Sequence, residues 1–339
     1  MARIMIDPVT GFRVPDEWLR RSSLSDIRER IESGLWVLLS NGKVLRRGLT
    51  TGTTAAAACK GAVLSLVRDV DGVDVWTPSG ITVRVKVEAC GGRCIAQKDA
   101  GDHSSDVTHG MKIIASASPS ERTELIAGEG IGRICRGGLS SDIGKPAISM
   151  SARTQIMRAI EEGIKEAGLG GAVVRLSVPD GRSIARMTLN PGVGVEGGIS
   201  ILGSTGFVEP WNEHLEDSVS ESLSELERVV ATTGRTGLRY SRMLFPDHTA
   251  VLIGSKLDIL RVRAGRDTVL CGLPGLILRW AEPGMLEGTG YATVADMIER
   301  EPDHPAIARA LEHLGKMLPG TRVVLINRDG SIYRDTGVI

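Results

Sequence analysis

TTGTTAAAACKGAVLSLV, residues 50–67, is the stretch that decides how the first half of this chain folds. Its threonines are good candidates for the N-cap of a helix, and the alanines after them run into an apolar segment that ends at Val67. We therefore predict a buried helix with an unusually small-residue first turn. Strict alternation at residues 82–88 then places three valines on one face, as expected for a half-buried strand.

The start of this helix also has a functional interpretation. Free backbone N–H groups at a helix start attract anions, and small side chains let a ligand approach the backbone closely. We predict a substrate contact at Thr50, Thr51, Gly52 and Thr53. An ordinary capped helix start is the alternative.

A second segment concentrates the titratable side chains. Residues 98–110 read KDAGDHSSDVTHG, without a large apolar side chain. Burying these groups unpaired would cost several kcal/mol apiece, so we predict an exposed loop. Histidine titrates near neutrality and neighbouring carboxylates move its pKa, which suits proton transfer. A plain solvated turn is the alternative, because Asp, Ser and Gly are common turn formers.

Further elements follow from local patterns. The apolar spacing from Pro15 to about Ser33 predicts an accessory helix. The segments 172–178 and 183–189 look like two strands of a hairpin, closed by the turn at residues 179–182. The sequence from Cys90 to Cys94 reads as a tight Gly-Gly turn between strands, and half of a metal or redox site is the alternative.

The second half of the chain has a different pattern. A short strand at 198–202, a glycine loop at 203–206 and a helix at 212–230 form the opening unit of a doubly wound sheet. Buried strands are predicted at 251–253, 268–271 and 323–326, and helices at 293–300 and 305–317. The predicted fold class is an α+β N-terminal domain followed by a smaller α/β doubly wound C-terminal domain. The predicted domains are an accessory helical extension at 1–44, an α+β substrate-binding domain at 45–192 and a Rossmann-like domain at 193–339.

Ligands of open α/β sheets bind beyond the carboxyl ends of the strands. This rule predicts a crevice between the loop from Gly203 to Glu209 and the loop from Gly272 to Gly275. The predicted cofactor contacts are therefore Gly203, Ser204, Thr205, Gly206, Glu209, Gly272 and Gly275.

Composition limits the partners. The chain has 339 residues and a formal net charge of zero, and its aromatic content is 3%. Nucleic acid is an unpromising partner because neither a basic surface nor many stacking rings are available. The N-terminus lacks the apolar region of a signal peptide, and no apolar run approaches the ~20 residues of a spanning helix. We expect a cytoplasmic protein without membrane contact, whose five cysteines are mostly reduced.

Four motifs, in order, resemble the CbiD family of anaerobic cobalamin biosynthesis. They are the segment 47–58, the acidic loop 98–110, the glycine loop at 128–132 with its continuation at 144–148, and the segment 197–210. The resemblance is strong for roughly residues 45–210. The chain looks like a divergent, archaeal-type branch, because His103-Ser104-Ser105 replaces an Asp-Pro pair and the family's Gly-His-x-Gly-Lys motif has apolar residues at its histidine and lysine positions, within Cys271–Leu276 here.

The resemblance implies a methyltransferase that uses S-adenosyl-L-methionine (SAM) to methylate C1 of cobalt-precorrin-5B, giving cobalt-precorrin-6A. Cobalt would enter only as part of the tetrapyrrole substrate, and no protein-bound metal is expected. Other enzymes of the pathway are conceivable partners. The implied catalytic bases are Asp102, His109 and Asp106, in that order. The implied substrate contacts, besides the helix start, are Lys98, Asp99, Glu129 and Lys145, with Arg153 as a further carboxylate partner.

Two other functions stay open at this point. The absent histidine and lysine near residue 273 would suit a non-catalytic tetrapyrrole carrier or a complex subunit of the same pathway. The Thr/Gly helix start and the loop at 128–132 would suit a small-molecule kinase, although the chain contains no Walker sequence.

Overall fold

The computed structural model describes residues 4–136, 142–211, 226–263 and 266–337. The chain divides into two compact units. The central unit comprises residues 29–36 and 45–212, and the terminal unit comprises 1–28, 37–44 and 213–339, as far as each range is described. These units do not follow the predicted boundaries at residues 44 and 192. Most of the N-terminal segment belongs with the C-terminal residues, and the central unit continues past residue 192.

The described strands, numbered in chain order, are β1 Met5–Ile6, β2 Arg13–Val14, β3 Trp36–Leu38, β4 Val44–Arg46, β5 Gly48–Leu49, β6 Val70–Trp76, β7 Thr82–Cys90, β8 Arg93–Gln97, β9 Lys112–Pro119, β10 Glu124–Ala127, β11 Arg133–Ile134, β12 Ala172–Ser177, β13 Val195–Glu196, β14 Phe207–Val208, β15 Val229–Thr232, β16 Thr249–Leu252, β17 Thr268–Gly272, β18 Arg322–Ile326 and β19 Ile332–Asp335.

The described helices are α1 Asp16–Arg21, α2 Ile27–Glu32, α3 Thr51–Leu64, α4 Met150–Ala167, α5 Gly181–Ala185, α6 Arg235–Leu244, α7 Pro274–Ala281, α8 Val294–Arg300 and α9 Pro305–Met317, with a 3-10 helix at Leu257–Arg263. None of the described helices is long and apolar enough to cross a membrane.

The central unit contains a six-stranded sheet in the order β10-β12-β9-β8-β7-β6. All neighbours are antiparallel except β10 and β12, which run parallel. The alternation predicted for residues 82–88 is confirmed, since Val83, Val85 and Val87 are buried and the residues between them are exposed. The glycine turn between β7 and β8 is confirmed as well, with positive φ angles at Gly91 and Gly92.

Helix α3 lies between this sheet and α4, and every one of its residues is buried. The predicted buried helix is therefore confirmed. Small side chains permit its close approach to the sheet, because a Cβ at Gly61 would lie 2.5 Å from the Cys94 sulfur. Lys60, the one charged residue of α3, bonds to Glu162 at 3.2 Å and to Glu166 at 2.7 Å. These contacts compensate its buried ammonium group.

Two local predictions are wrong. Residues 183–189 do not form a strand, because the turn after β12 leads into the short helix α5, and β12 pairs with β9 and β10 instead. The predicted helix at 15–33 is broken into α1 and α2. The Ser22 hydroxyl accepts a bond from the Leu24 N–H at 3.3 Å, and such local side-chain bonds compete with helix formation.

The predicted opening unit of the doubly wound sheet is also corrected. Strand β14 pairs with β5 inside the central unit, so the segment 198–208 is not the first strand and loop of the other sheet. The predicted helix at 212–230 lies mostly outside the described residues. Its last two residues are not helical, because Val229 and Val230 begin β15.

The terminal unit contains a five-stranded sheet in the order β16-β15-β17-β18-β19, in which all strands but β19 are parallel. Counted from β15, the order is 2-1-3-4-5, one of the two common doubly wound orders. The strands predicted near 251, 268 and 323 and the helices predicted near 293 and 305 are present. N-terminal residues pack in the same unit, as shown by the rings of Phe12 and Tyr240 at 5.6 Å.

Gly130 provides a test of the central unit's packing. Its φ is +74°, and a Cβ there would lie 1.7 Å from the Val178 carbonyl oxygen. Gly130→Ala should lower the free energy of unfolding by about 3 kcal/mol or more, because a fixed backbone must shift. Gly80→Ala is the matched control, since its φ is +82° and the space around it is open. That variant should lose only about 1–2 kcal/mol. Urea unfolding measures both, and equal losses would contradict the packing argument.

Candidate functional site

A crevice of about 980 Å³ opens in the terminal unit where β15, β17 and β18 end. This is the topological switch point of the sheet, because the chain leaves β15 toward β16 on one side and β17 toward β18 on the other. The crevice is lined by residues 233–237, 273–276, 326–328 and 333, and by Ala295, Ile298, Glu299 and Pro302.

Glycines let the two loops above the strand ends come together. A Cβ at Gly237 would lie 2.0 Å from the Thr232 hydroxyl oxygen, and a Cβ at Gly272 would lie 2.9 Å from that of Thr233. Helices α6 and α7 both begin at the crevice, and neither start is capped by a side chain. Uncapped helix starts present backbone N–H groups to an anionic ligand.

The sequence identified only part of this crevice. Gly275 lines it, and Gly272 ends the strand directly below it. The loop from Thr233 to Gly237 was missed. Its signal was a strand followed by Thr-Gly-Arg-Thr-Gly and a helix, which the predicted helix through residue 230 concealed. Leu273 and Leu276 are part of the lining as well.

The predicted cofactor loop at 203–206 belongs to the other unit, where it packs on the start of α3. A Cβ at Gly203 would lie 2.4 Å from the Thr50 hydroxyl oxygen, and the Gly206 carbonyl accepts a bond from the Thr53 hydroxyl at 2.8 Å. The Ser79 hydroxyl bonds to the Thr205 carbonyl at 2.8 Å. The close packing gives these glycines a structural role, and the cofactor contact at Gly203, Ser204, Thr205 and Gly206 stays a prediction.

Glu209 is similarly engaged. Its carboxylate lies 3.3 Å from Nε of Arg47, whose side chain is fully buried. A buried guanidinium needs a carboxylate and hydrogen-bond acceptors to offset its desolvation, and the Gly34 carbonyl supplies one of the acceptors at 3.1 Å. Glu209 therefore compensates Arg47, and its role opposite a sulfonium stays a prediction.

The helix start at residues 50–53 is buried and bonded to the chain itself. The Thr50 hydroxyl accepts from the Thr53 N–H at 3.2 Å, and the Gly52 N–H donates to the Leu202 carbonyl at 3.0 Å. The Thr51 hydroxyl accepts from the Leu202 N–H at 2.9 Å. These groups hold the 202–206 segment, so the helix start has a structural role, and the substrate contact at Thr50, Thr51, Gly52 and Thr53 stays a prediction.

The loop at 98–110 is organised by ion pairs. Lys98 is only 2% exposed, against our expectation for this loop, and its ammonium lies 2.8 Å from the Asp106 carboxylate. The Arg46 guanidinium donates to both carboxylate oxygens of Asp99, at 2.5 and 2.9 Å. Asp102 is exposed and accepts a bond from the Arg46 N–H at 2.6 Å. Asp99 and Asp102 thus anchor the loop to Arg46, whereas Asp106 joins two ends of the loop through Lys98.

These contacts set the pKa values of two carboxyls. Burial raises the pKa of Asp106, but the Lys98 ammonium and the Thr108 donors together outweigh it, and the pKa lies below its ordinary value. Bonding to Arg46 lowers the pKa of Asp99. A carboxylate with a lowered pKa is a weak proton acceptor, which argues against Asp106 as a general base.

A second cavity, of about 560 Å³, lies on the uncovered face of the central sheet. Its lining comprises Leu49, residues 84–88, Ile95, residues 97–99, His109, Gly110 and Lys112. Three predicted site residues therefore meet here, namely Lys98, Asp99 and His109. Asp102 and Asp106 do not line this cavity, and the sequence did not indicate Lys86 or Lys112.

The bonding of His109 defines its chemical role. Its Nδ1 lies 3.2 Å from the Ala100 backbone N–H, which can only donate, so Nδ1 is the acceptor. In the neutral imidazole the proton then resides on Nε2, and that nitrogen is a hydrogen-bond donor. This tautomer makes Nε2 of His109 a hydrogen-bond donor in the cavity, and the role of His109 as a base stays a prediction.

The remaining predicted residues lie apart from both cavities. Glu129, Lys145 and Arg153 are exposed, and no hydrogen bond or ion pair connects them with one another in the described ranges. Among the described residues no group of three or more His, Cys, Asp or Glu side chains could hold a metal ion.

The ion pair of Lys98 and Asp106 gives a pH-dependent prediction. Asp106→Asn should lower the free energy of unfolding at pH 7 by about 2 kcal/mol, because the buried ammonium loses its charged partner. The pKa of Asp106 is lower in the folded chain than its value of about 3.9 in the unfolded chain. The ionised carboxylate therefore stabilises the fold above about pH 3.9, and this contribution disappears as the pH falls through the folded pKa. The difference between wild type and variant should therefore shrink as the pH falls below about 3.9.

Urea unfolding between pH 7 and pH 3 measures this difference. A Lys98→Met/Asp106→Asn double variant is the control, since it leaves no uncompensated ammonium and should regain part of the stability at pH 7. A difference that stays constant with pH would rule out the ion pair as its origin.

Comparison with known proteins shows the family to which this chain is similar. The CbiD family model matches residues 39–210. The cobalt-precorrin-5B C(1)-methyltransferase of Methanosarcina acetivorans is 47% identical over 98% of this chain and 99% of its own length. The protein of the same name from Methanococcoides burtonii is 48% identical over 98% of both chains.

A solved structure is also similar to this chain. The cobalamin biosynthesis protein cbiD from Archaeoglobus fulgidus, a crystal structure at 1.9 Å, is 34% identical and superposes with a TM-score of 0.57 over 95% of this chain and 100% of its own. The likeness of the curated relatives extends through the terminal unit, including the crevice with its apolar Leu273 and Leu276. On this combined evidence, the chain belongs to the CbiD family.

Proposed function

We propose that this chain transfers a methyl group from SAM to C1 of cobalt-precorrin-5B, giving cobalt-precorrin-6A in anaerobic cobalamin biosynthesis. The observation that supports this proposal is the 47–48% identity to C(1)-methyltransferases over nearly the whole chain. As a member of this family the chain is a methyltransferase, and cobalt enters as part of the substrate.

We further propose that SAM binds in the crevice of the terminal unit, with Gly272 and Gly275 among the residues that form it. The features of the crevice suit the parts of this ligand. The uncapped starts of α6 and α7 would accept its carboxylate, the Thr233 and Thr236 hydroxyls can bond to its polar groups, and Glu299 supplies a negative charge for the sulfonium.

SAM supplies an electrophilic methyl carbon. In the reaction a bond forms between that carbon and C1, and the bond from carbon to sulfur breaks with its electron pair left on sulfur. The ring system then releases one proton. Positioning accounts for much of the rate gain in such an in-line displacement, so the contribution of this chain is to hold the substrate still and exclude alternative geometries.

Among the predicted catalytic residues, His109 is the one that lines the cavity of the central unit. We propose that its Nε2–H donates a hydrogen bond to the substrate there, while Lys98 and Asp99 shape the cavity wall through their partners Asp106 and Arg46. Asp102 supports the loop through the Arg46 backbone. Glu129 and Lys145 remain outside this proposal because they do not line the cavity.

Two alternative functions, a non-catalytic carrier and a small-molecule kinase, have less support than methyl transfer. A non-catalytic carrier was suggested by the apolar residues near position 273, but the chain matches named methyltransferases through that region. A small-molecule kinase was suggested by the helix start at residue 50, whose described groups bond to the 202–206 segment.

The direct test combines methyl transfer with SAM binding. Anaerobic incubation with cobalt-precorrin-5B and methyl-labelled SAM should yield a labelled product that is heavier by one methylene. Gly234→Val should narrow the crevice without a clash, because no described atom lies within 4 Å of a Cβ there. We expect its SAM dissociation constant, measured by calorimetry, to rise about tenfold or more.

Gly170→Val is the matched control, because a Cβ there is equally free of neighbours and the residue does not line the crevice. Its SAM affinity should be unchanged. Equal SAM affinities for the two variants would contradict the crevice as the SAM site, and tetrapyrrole binding without label transfer would contradict the enzymatic function.

Two substitutions separate a donor from a base at residue 109. Gln places an N–H donor near the position of Nε2, whereas Asn retains only an acceptor for the Ala100 N–H. We expect His109→Asn to lower kcat/KM about tenfold and His109→Gln to retain most of the activity. Rates of label transfer measure both. If His109→Gln were as impaired as His109→Asn, a proton-accepting role would be favoured instead.

A further inference from the structure

The uncovered face of the central sheet carries an ordered row of polar side chains. In β7 the exposed residues alternate with the buried valines, and in β9 the exposed Lys112 precedes the buried Ile113. Side chains that alternate in this way point to the face opposite α3. In the described part of the central unit no helix packs on this face.

The strand register aligns three of these side chains. Val87 pairs with Ala96, which brings Lys86 to the level of Gln97, and Gln97 pairs with Lys112. Neighbouring strands are about 4.8 Å apart, so the backbones of Lys86 and Lys112 stand roughly 10 Å apart with one amide side chain between them. Both lysines line the cavity of about 560 Å³.

The charges in this cavity are unequally compensated. Lys98 is bound to Asp106, Asp99 is bound to Arg46, and Arg84 lies near Asp74. Lys86 and Lys112, by contrast, have no hydrogen bond or ion pair with another residue in the described ranges. Glu88 is the carboxylate of the lining without such a partner, so the uncompensated charge of the row stays positive.

We propose that Lys86 and Lys112 bind two carboxylate groups of the tetrapyrrole, which lies with its ring along the uncovered face of the central sheet. This inference rests on the proposed function, which supplies a planar substrate with several acetate and propionate side chains. Two ammonium groups in one row suit two peripheral carboxylates of such a ring. Gln97 lies between them, and Ile95, two residues before Gln97 on β8, adds an apolar contact beside the row.

The test compares two double variants that remove the same charge. Lys86→Gln/Lys112→Gln removes the row, and Arg93→Gln/Arg175→Gln removes two exposed arginines of the same sheet that do not line the cavity. The probe is an air-stable porphyrin polycarboxylate, titrated with fluorescence detection, and its methyl ester serves as the uncharged counterpart. Thermal unfolding of both variants confirms that they are folded.

We expect the lysine variant to bind the polycarboxylate about tenfold or more weakly than wild type, and the arginine variant to bind it within about threefold. The KM for cobalt-precorrin-5B should rise in parallel, while the SAM dissociation constant stays unchanged. Equal weakening in both double variants, equal binding of acid and ester, or an unchanged KM in the lysine variant would overturn the proposal.

The outcome is separable from that of the proposed function. If wild type transfers label to C1 and the lysine variant behaves like the arginine variant, the reaction stands and the carboxylate site is wrong. If wild type binds the polycarboxylate through the two lysines but transfers no label, the site stands as a tetrapyrrole site and the methyl transfer fails.

Discussion

The burial of α3 on all sides is the constraint on which the central unit depends. A helix that touches a sheet on one face and α4 on another can carry only small side chains where the backbones approach, which accounts for its alanines and for Gly61 beside Cys94. Its single charge, Lys60, is neutralised by acids of α4. The sheet face away from α3 is left uncovered, and this face carries the second cavity.

The same helix explains why several residues with the look of a binding site have structural roles. The threonines at the start of α3 bond to the segment after Leu202, and the glycines of that segment are required because Thr50 and Thr77 lie against them. Small polar residues and glycines are common to ligand loops and to tightly packed loops. Only their hydrogen-bond partners distinguish the two.

In the terminal unit the strand order is as important as the burial of α3 is in the central unit. Reversal of the strand order between β15 and β17 opens a crevice whatever the loop sequences are, and the glycines at positions 237 and 272 let the loops close over it. Leu273 and Leu276 make one wall of this crevice apolar. The backbone groups at the starts of α6 and α7 supply its polar part.

The sequence by itself determined the elements whose pattern is local and strong, including the buried helix α3, the alternating strand β7 with its glycine turn, and, in the terminal unit, β16, β17, β18, α8 and α9. It also determined the family, through four ordered motifs. Tertiary structure alone decided the partners of each polar group. Nothing local shows that Glu209 faces a buried Arg47, that Lys98 is buried against Asp106, or that Lys86 and Lys112 share one row. Such pairings depend on strand register and on contacts between distant segments, and single-chain periodicity carries no information about either.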